Sequence, residues 1–155
     1  MGGSVVMNLI SVLPEEDKYC LYFDNLCTTP AILSAMKDKG YDATGILRPN
    51  HLNQCLWEGM DSMKKMKRGS MDHLLNPDEN IILLRWNDNS VVTHDSTKHG
   101  ITPLKNVQRF SQSEKRHIHV PCPDAVIRYN KHMGGTDRMD QNIANYRVNI
   151  RIKKW

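Results

Sequence analysis

Apolar residues near the start of the chain recur at helical spacing. Val5, Val6, Leu9, Ile10 and Leu13 share one face, which predicts a helix over 4–13 with Ser4 as its cap and Pro14 as its stop. The pattern then changes period. Residues 18–23 form a short aromatic and apolar run that ends in Asp24-Asn25, as a buried strand delivering a carboxylate at its C-terminal end would. Thr29-Pro30 caps and opens a helix carried by Ile32, Leu33 and Met36 and stopped at Lys39-Gly40, and residues 43–47 give a second strand. Strand, helix and strand at this spacing predict a parallel pair with a right-handed crossover.

Beyond Arg48 the periodicity is lost. Residues 50–76 are polar, Met-rich and basic. Residues 81–86 and 90–94 then flank Asn87-Asp88-Asn89 as the arms of a hairpin, and a further strand is expected within 102–110. The middle of the chain therefore reads as β-rich and different in character from its α/β start. Pro121-Cys122-Pro123 punctuates the chain again. Asp124 is placed to cap a helix over 125–132, Gly134-Gly135 to break it, and a last helix to run from Thr136 to about Tyr146 with Met139, Ile143 and Tyr146 on one face.

Composition narrows the class. At 155 residues, 39% apolar and 25% charged, the chain suits one ordinary domain, and its nine Gly and seven Pro are too scattered for a fibrous or low-complexity protein. Asn8 interrupts the longest apolar stretch near the start, so no membrane span of ~18 residues is expected. Cys20, Cys27, Cys55 and Cys122 include no Cys-x-x-Cys pair, which argues against a zinc knuckle or redox pair and for reduced intracellular thiols. The opening residues match no secretory or myristoylation signal.

The net charge of +4 is modest, but the cations are grouped. Lys64, Lys65, Lys67 and Arg68 form one run, and Arg116 with His117 and His119 forms a weaker one. Arg147, Arg151, Lys153 and Lys154 form a third, followed by the aromatic Trp155. Lysine runs commonly serve only as solvated surface; a cationic run ending in an aromatic also suits phosphate contact beside base stacking.

Asp24, Asp137 and Asp140 are the carboxylates of interest: one ends a strand, and two open a helix after a glycine pair. Carboxylates from separate elements are what Mg²⁺ takes, with waters and substrate phosphates completing its shell. The plainer alternative is a strand-end turn at Asp24 and a dipole-favoured acid at Asp137. His94, His99, His117 and His119 lack the spacing of a helical zinc pair, and Cys27 has no basic neighbour in sequence to activate it.

At five places the chain resembles the piggyBac transposase family. These are Gly-Gly-Ser-Val-Val at 2–6, Tyr-Phe-Asp-Asn-Leu-Cys-Thr-Thr at 22–29, Gly-Ile-Leu-Arg-Pro-Asn at 45–50, Arg-Trp-Asn-Asp-Asn-Ser-Val-Val at 85–92, and Tyr-Asn-Lys-His-Met-Gly-Gly-Thr-Asp-Arg-Met-Asp-Gln at 129–141. The resemblance implies an α/β chain holding the C-terminal part of an RNase H-like DDE transposase domain with a β-rich insertion. Residues 1–50 and 121–155 would belong to the RNase H-like part and 51–120 to the insertion.

In such a domain three aspartates hold two divalent ions, Mg²⁺ or Mn²⁺, for DNA strand cleavage and transfer. Asp24 stands at the second catalytic position and Asp137 at the third, with Asp140 at a further acidic position beside them. Arg48 and Trp155 match positions that contact transposon-end DNA, and Arg147, Arg151, Lys153 and Lys154 accompany Trp155. His51 stands where some members carry Lys. Asp42, Asp61 and Asp72 match no motif of the family.

The first catalytic aspartate is expected to lie upstream of the matched motifs, which makes the chain part of a larger domain and catalytically incomplete alone. The expected partner is DNA, with homodimerisation as an option, and the expected compartment is the nucleus. Two alternatives stay open. One is a domesticated, non-catalytic DNA-binding or chromatin-associated module; the other is a gene fragment without function.

Overall fold

The computed structural model describes residues 2–14, 17–48 and 60–146. Its first unit is the expected strand, helix and strand. β1 (Cys20–Phe23) leads into α2 (Pro30–Asp38), which follows the first helix α1 (Gly2–Ile10) in chain order, and β2 (Asp42–Leu47) returns parallel to β1. The local chemistry explains the boundaries. Thr29 has extended backbone and its Oγ1 accepts the Ile32 N–H at 3.2 Å, with Pro30 at the first helical position where no N–H is needed. Gly40 ends the segment with φ +81, a left-handed value that glycine adopts without strain.

The rest of the main sheet comes from the middle of the chain. After α3 (Met60–Lys64), strands β3 (Met71–Asn76), β4 (Ile81–Asn87) and β5 (Val91–Ser96) form an antiparallel meander, and β5 also pairs antiparallel with β2. The result is one five-stranded mixed sheet in the order β1-β2-β5-β4-β3. Strands on both sides of residue 50 thus share one sheet. β6 (Lys105–Ser111) and β7 (Arg116–Cys122) make a separate two-stranded ribbon, followed by α4 (Asp124–His132) and α5 (Gly134–Tyr146).

Each face of the sheet has its own core. Val6 and Ile10 of α1 and Ile32, Leu33 and Met36 of α2 pack with Ala43 and Ile81 on one face, while Leu84 and Trp86 meet Val120, Cys122, Ala125 and Val126 on the other. The ribbon is tied to the second core through polar anchors. Trp86 Nε1 donates to the Pro121 carbonyl at 2.9 Å, and Asp88, at the β4–β5 turn, accepts from Arg68 at 2.6 Å and Arg109 at 3.0 Å. The Arg109 guanidinium lies 5.8 Å from the Trp86 ring. Asn87, also buried, donates from Nδ2 to the Met63 and Met66 carbonyls and so closes the end of α3.

Because Asp88 serves two largely buried guanidinium groups, Asp88→Ala leaves both cations without it. We expect a loss of about 1–3 kcal/mol of stability, read as a lower urea midpoint, with Asp88→Asn recovering part of it.

Several expectations need correction. α1 begins at Gly2, ahead of Ser4, and ends at Ile10, where Ser11 Oγ donates back to the Asn8 carbonyl at 2.7 Å in place of continuing the helix. Asp124 is not a cap: Pro123 occupies that position without a side-chain bond, and Asp124 is the first residue of α4. The glycine pair does not separate the last two helices. Met133 alone does, in near-helical backbone, and Gly134 and Gly135 already belong to α5. Met139, Ile143 and Tyr146 are exposed along α5 by 56%, 50% and 87%, so the expected apolar stripe has no cover among the described residues.

Candidate functional site

The C-terminal ends of the parallel strands β1 and β2 lie side by side, the place where open α/β sheets commonly present functional groups. Asp24 follows β1 directly. Its carbonyl accepts the Cys27 and Thr28 N–H groups and the Thr28 hydroxyl, at 3.0, 3.1 and 2.8 Å, which folds residues 24–28 into a fixed turn. One carboxylate oxygen accepts the Asn25 N–H at 2.6 Å, and the side chain is exposed. Arg48 follows β2, and its guanidinium reaches the Asn25 side-chain oxygen at 3.4 Å. Asp24, Asn25 and Arg48 are therefore grouped by the parallel pairing itself.

Asp24 stands in a cleft of about 920 Å³. One wall is α1, through Val6, Leu9 and Ile10; the other is α4, through Tyr129, Asn130 and Met133, with Gly134 at the start of α5. The floor is β1, the terminal strand of the sheet, whose outer edge is unpaired among the described residues. Burial, followed by the negative charge of Asp24, pushes the Tyr129 hydroxyl up to about 12, so this phenol stays protonated and able to donate at neutral pH. Thus the motif at 129–141 begins in the wall of the cleft that holds the aspartate of the motif at 22–29.

The other proposed ligands fare differently. Asp137 lies within the first turn of α5, which opens at the cleft through Gly134, but its side chain is outside what is described. Asp140 is exposed on α5 and does not line the cleft. Among the described residues no three His, Cys, Asp or Glu side chains gather as a metal cluster, so Asp24 is the single described carboxylate of the cleft. One or two carboxylates with waters and substrate phosphates suffice for Mg²⁺, and an exposed Asp24 with an oxygen to spare fits that partial donor set. Arg147, Arg151, Lys153, Lys154, Trp155 and His51 lie outside the described residues.

The four histidines weighed as zinc ligands build no metal-binding group among the described residues. His94 is buried edge-on against Tyr129 at 5.2 Å, and burial lowers it to about 4, so it is neutral. His117 and His119 lie on the ribbon. His99 joins a cluster that the sequence did not reveal: its Nε2 is 3.3 Å from the Tyr22 hydroxyl and 3.9 Å from Cys20 Sγ, and its Nδ1 is 3.6 Å from Asp124. Arg128 reaches the other oxygen of Asp124 at 3.5 Å, and His132 stacks on Tyr22 at 4.8 Å. Burial raises the Cys20 thiol and lowers His99, so this arrangement favours neutral hydrogen-bonded groups over a thiolate–imidazolium pair. It secures α4 to β1 and thereby the wall of the cleft to its floor. Cys27 lines the cleft as a free thiol.

Comparison with known proteins bears on the whole chain. A family model described as Transposase IS4 matches residues 1–155. The human PiggyBac transposable element-derived protein 3 is 41% identical over 157 residues, covering 100% of this chain and 26% of that protein. The human PiggyBac transposable element-derived protein 2 is 39% identical over the same span, again covering 26% of its length. The chain thus spans about a quarter of the length of these curated relatives. A cryo-EM structure of a piggyBac transposase synaptic complex with hairpin DNA shares the fold, with a TM-score of 0.63 at 16% identity, over 92% of this chain and 27% of that one.

Proposed function

Because the chain belongs to the transposase family described as IS4, in its piggyBac branch, we propose that it derives from a DNA transposase and acts on DNA through the cleft at Asp24. One observation carries the reading: Asp24 and the opening of the 129–141 motif, more than a hundred residues apart in sequence, line one cleft, and Arg48 stands against the neighbouring Asn25 at the same end of the parallel strands. A carboxylate held by a rigid turn and a nearby guanidinium suit a divalent cation and a phosphodiester respectively.

In this reading Asp24 and Asp137 hold Mg²⁺ or Mn²⁺, with Asp140 near them. When bound, the ion supplies Lewis-acid polarisation of a phosphate oxygen and a more acidic water. Arg48 orients the strand, and the Tyr129 hydroxyl donates a hydrogen bond from the cleft wall. Arg147, Arg151, Lys153, Lys154 and Trp155 extend the DNA contact. The domain division, with 1–50 and 121–155 as parts of an RNase H-like unit and 51–120 as a β-rich insertion of which β3, β4 and β5 extend the same sheet, belongs to the same proposal, as does a nuclear location.

With two of the three carboxylates that the family resemblance implies, this chain by itself should bind the metal weakly and not cut DNA. The rival reading, a non-catalytic DNA-binding module, draws on the single described carboxylate in the cleft. Mn²⁺ titration followed by paramagnetic broadening, together with plasmid nicking, separates the two. We expect weak Mn²⁺ binding that Asp24→Asn and Asp137→Asn each remove, and no nicking. Binding unaffected by Asp24→Asn sinks the metal assignment, and metal-dependent nicking lost in Asp24→Asn sinks the incompleteness.

A further inference from the structure

We propose that the outward face of the β6–β7 ribbon is a second contact surface for DNA, one that lies across duplex DNA in the major groove. The inference rests on the proposal that the protein acts on DNA, and it concerns a surface on the ribbon, away from Asp24.

The alternation of the two strands sorts their side chains. Val107, Ile118, Val120 and Cys122 turn inward to the core with Arg109, which leaves Asn106, Gln108 and Phe110 of β6 and His117 and His119 of β7 on the opposite face. These five are all exposed. Gln108 pairs directly across from His119, and Phe110 from His117, their rings meeting edge to face at 5.4 Å. The side chains of Asn106, Gln108 and His119 make no hydrogen bond within the described protein, so a row of groups that both donate and accept is presented to solvent by two adjacent strands. Such groups match base edges, where amides and imidazoles have partners of either kind.

Charge indicates the partner. The ribbon and the neighbouring 61–68 segment carry eight cations, Lys64, Lys65, Lys67, Arg68, Lys105, Arg109, Lys115 and Arg116, against two acids, Asp61 and Glu114. Arg68 and Arg109 are committed to Asp88, Lys64 to Asp61 and Arg116 to Glu114, whereas Lys65, Lys67, Lys105 and Lys115 are exposed and form no ion pair among the described residues. Lys67 borders the same groove as His119, and Lys105 and Lys115 sit at opposite ends of β6 and the turn beyond it. Unpaired lysines around a polar face with a single exposed aromatic are unlike a protein interface, whose centre is apolar and poor in lysine.

Shape agrees with charge. Two strands ~5 Å apart and seven residues long span ~23 Å, a size the ~12 Å major groove of B-form DNA admits and the deep, narrow groove of duplex RNA does not. Furthermore the ribbon is held rigidly, by Trp86 to the Pro121 carbonyl and by Arg68 to the Phe110 carbonyl, both at 2.9 Å, so little ordering cost accompanies docking.

The test is anisotropy titration of a labelled duplex DNA at several salt concentrations, with the triple variant Lys67→Gln/Lys105→Gln/Lys115→Gln, alongside NMR of the histidine rings in the unsubstituted protein. The triple variant should bind roughly tenfold or more weakly, with the slope of log K against log salt reduced by about 2–3, and the His117 and His119 rings should shift on DNA addition. If the protein binds DNA but the variant binds equally well and the rings do not move, the ribbon is excluded while the DNA reading stands. If the protein binds no DNA, both fall. Tighter binding to duplex RNA than to DNA also overturns the ribbon assignment.

Discussion

Gly45→Ala is expected to lower folding stability by about 2–4 kcal/mol and to disorder the turn that presents Asp24. Gly45 lies in the interior of β2, between Phe23 of β1 and Asp95 of β5. A methyl group there would come within 2.3 Å of Thr28 Oγ1 and 2.6 Å of its Cγ2. Thr28 cannot move aside cheaply, since it is fully buried and its hydroxyl donates to the Asp24 carbonyl at 2.8 Å. Either the sheet opens at β1 and β2 or the Thr28 side chain leaves its acceptor, and both routes shift Asp24 relative to Arg48. Thr28→Ala alone should cost about 1–2 kcal/mol through the lost hydrogen bond. Combined with Gly45→Ala it should cost clearly less than the two effects added, because the Oγ1 and Cγ2 that collide are gone. Urea denaturation of the four proteins measures this. A Gly45→Ala protein within about 0.5 kcal/mol of the parent would show that the close approach does not govern the site.

The same contact explains what could be read from the sequence. The strand, helix and strand around Asp24 carry their instructions locally: an apolar run, a Thr-Pro start, a Gly stop. The partner that closes the sheet over Gly45 does not. β5 lies about fifty residues later, and its pairing with β2 places Asp95 opposite Gly45, a register that no local pattern specifies. Strands β3 and β7 were illegible for a related reason. β3 pairs on one side only, and β7 faces solvent with His117, His119 and Pro121, so neither needs the continuous apolar or β-branched run that marks an interior strand.

At the site, Asp24 was legible because it follows the one aromatic strand of the N-terminal half, and Arg48 only through the family resemblance. Tyr129 was legible only as part of a motif; that it forms the wall opposite α1 follows from α4 crossing the sheet, held by Asp124, His99 and Arg128. Asp124 resembles a cap in sequence because caps and buried ion-pair partners draw on the same residue type. Only the position of His99 decides between them, and that is a tertiary fact.

Asp95 supplies the second large effect, on the same cross-strand row as Phe23 and Gly45. Its side chain is fully buried, and burial, aided by the charge of Glu79 and only partly opposed by the Ser96 backbone N–H, pushes it from 3.8 up to about 7. The folded protein therefore binds this proton more tightly than the unfolded chain does. By linkage, the contribution of Asp95 is most favourable below about pH 4, declines as pH rises through 7, and is absent above it. Asp95→Asn keeps the shape and removes the ionisation. It should flatten the stability profile between pH 4 and 7 and leave the variant more stable than the parent at pH 8 by about 1–3 kcal/mol, less than the full shift because burying an amide also costs stability. Urea midpoints for both proteins from pH 4 to 8 provide the check. Parallel profiles, with no gain for the variant at pH 8, would mean that Asp95 is solvated or neutralised in the fold. A gain that grows with pH would place a buried, ionisable carboxylate beside the glycine on which the geometry of Asp24 depends.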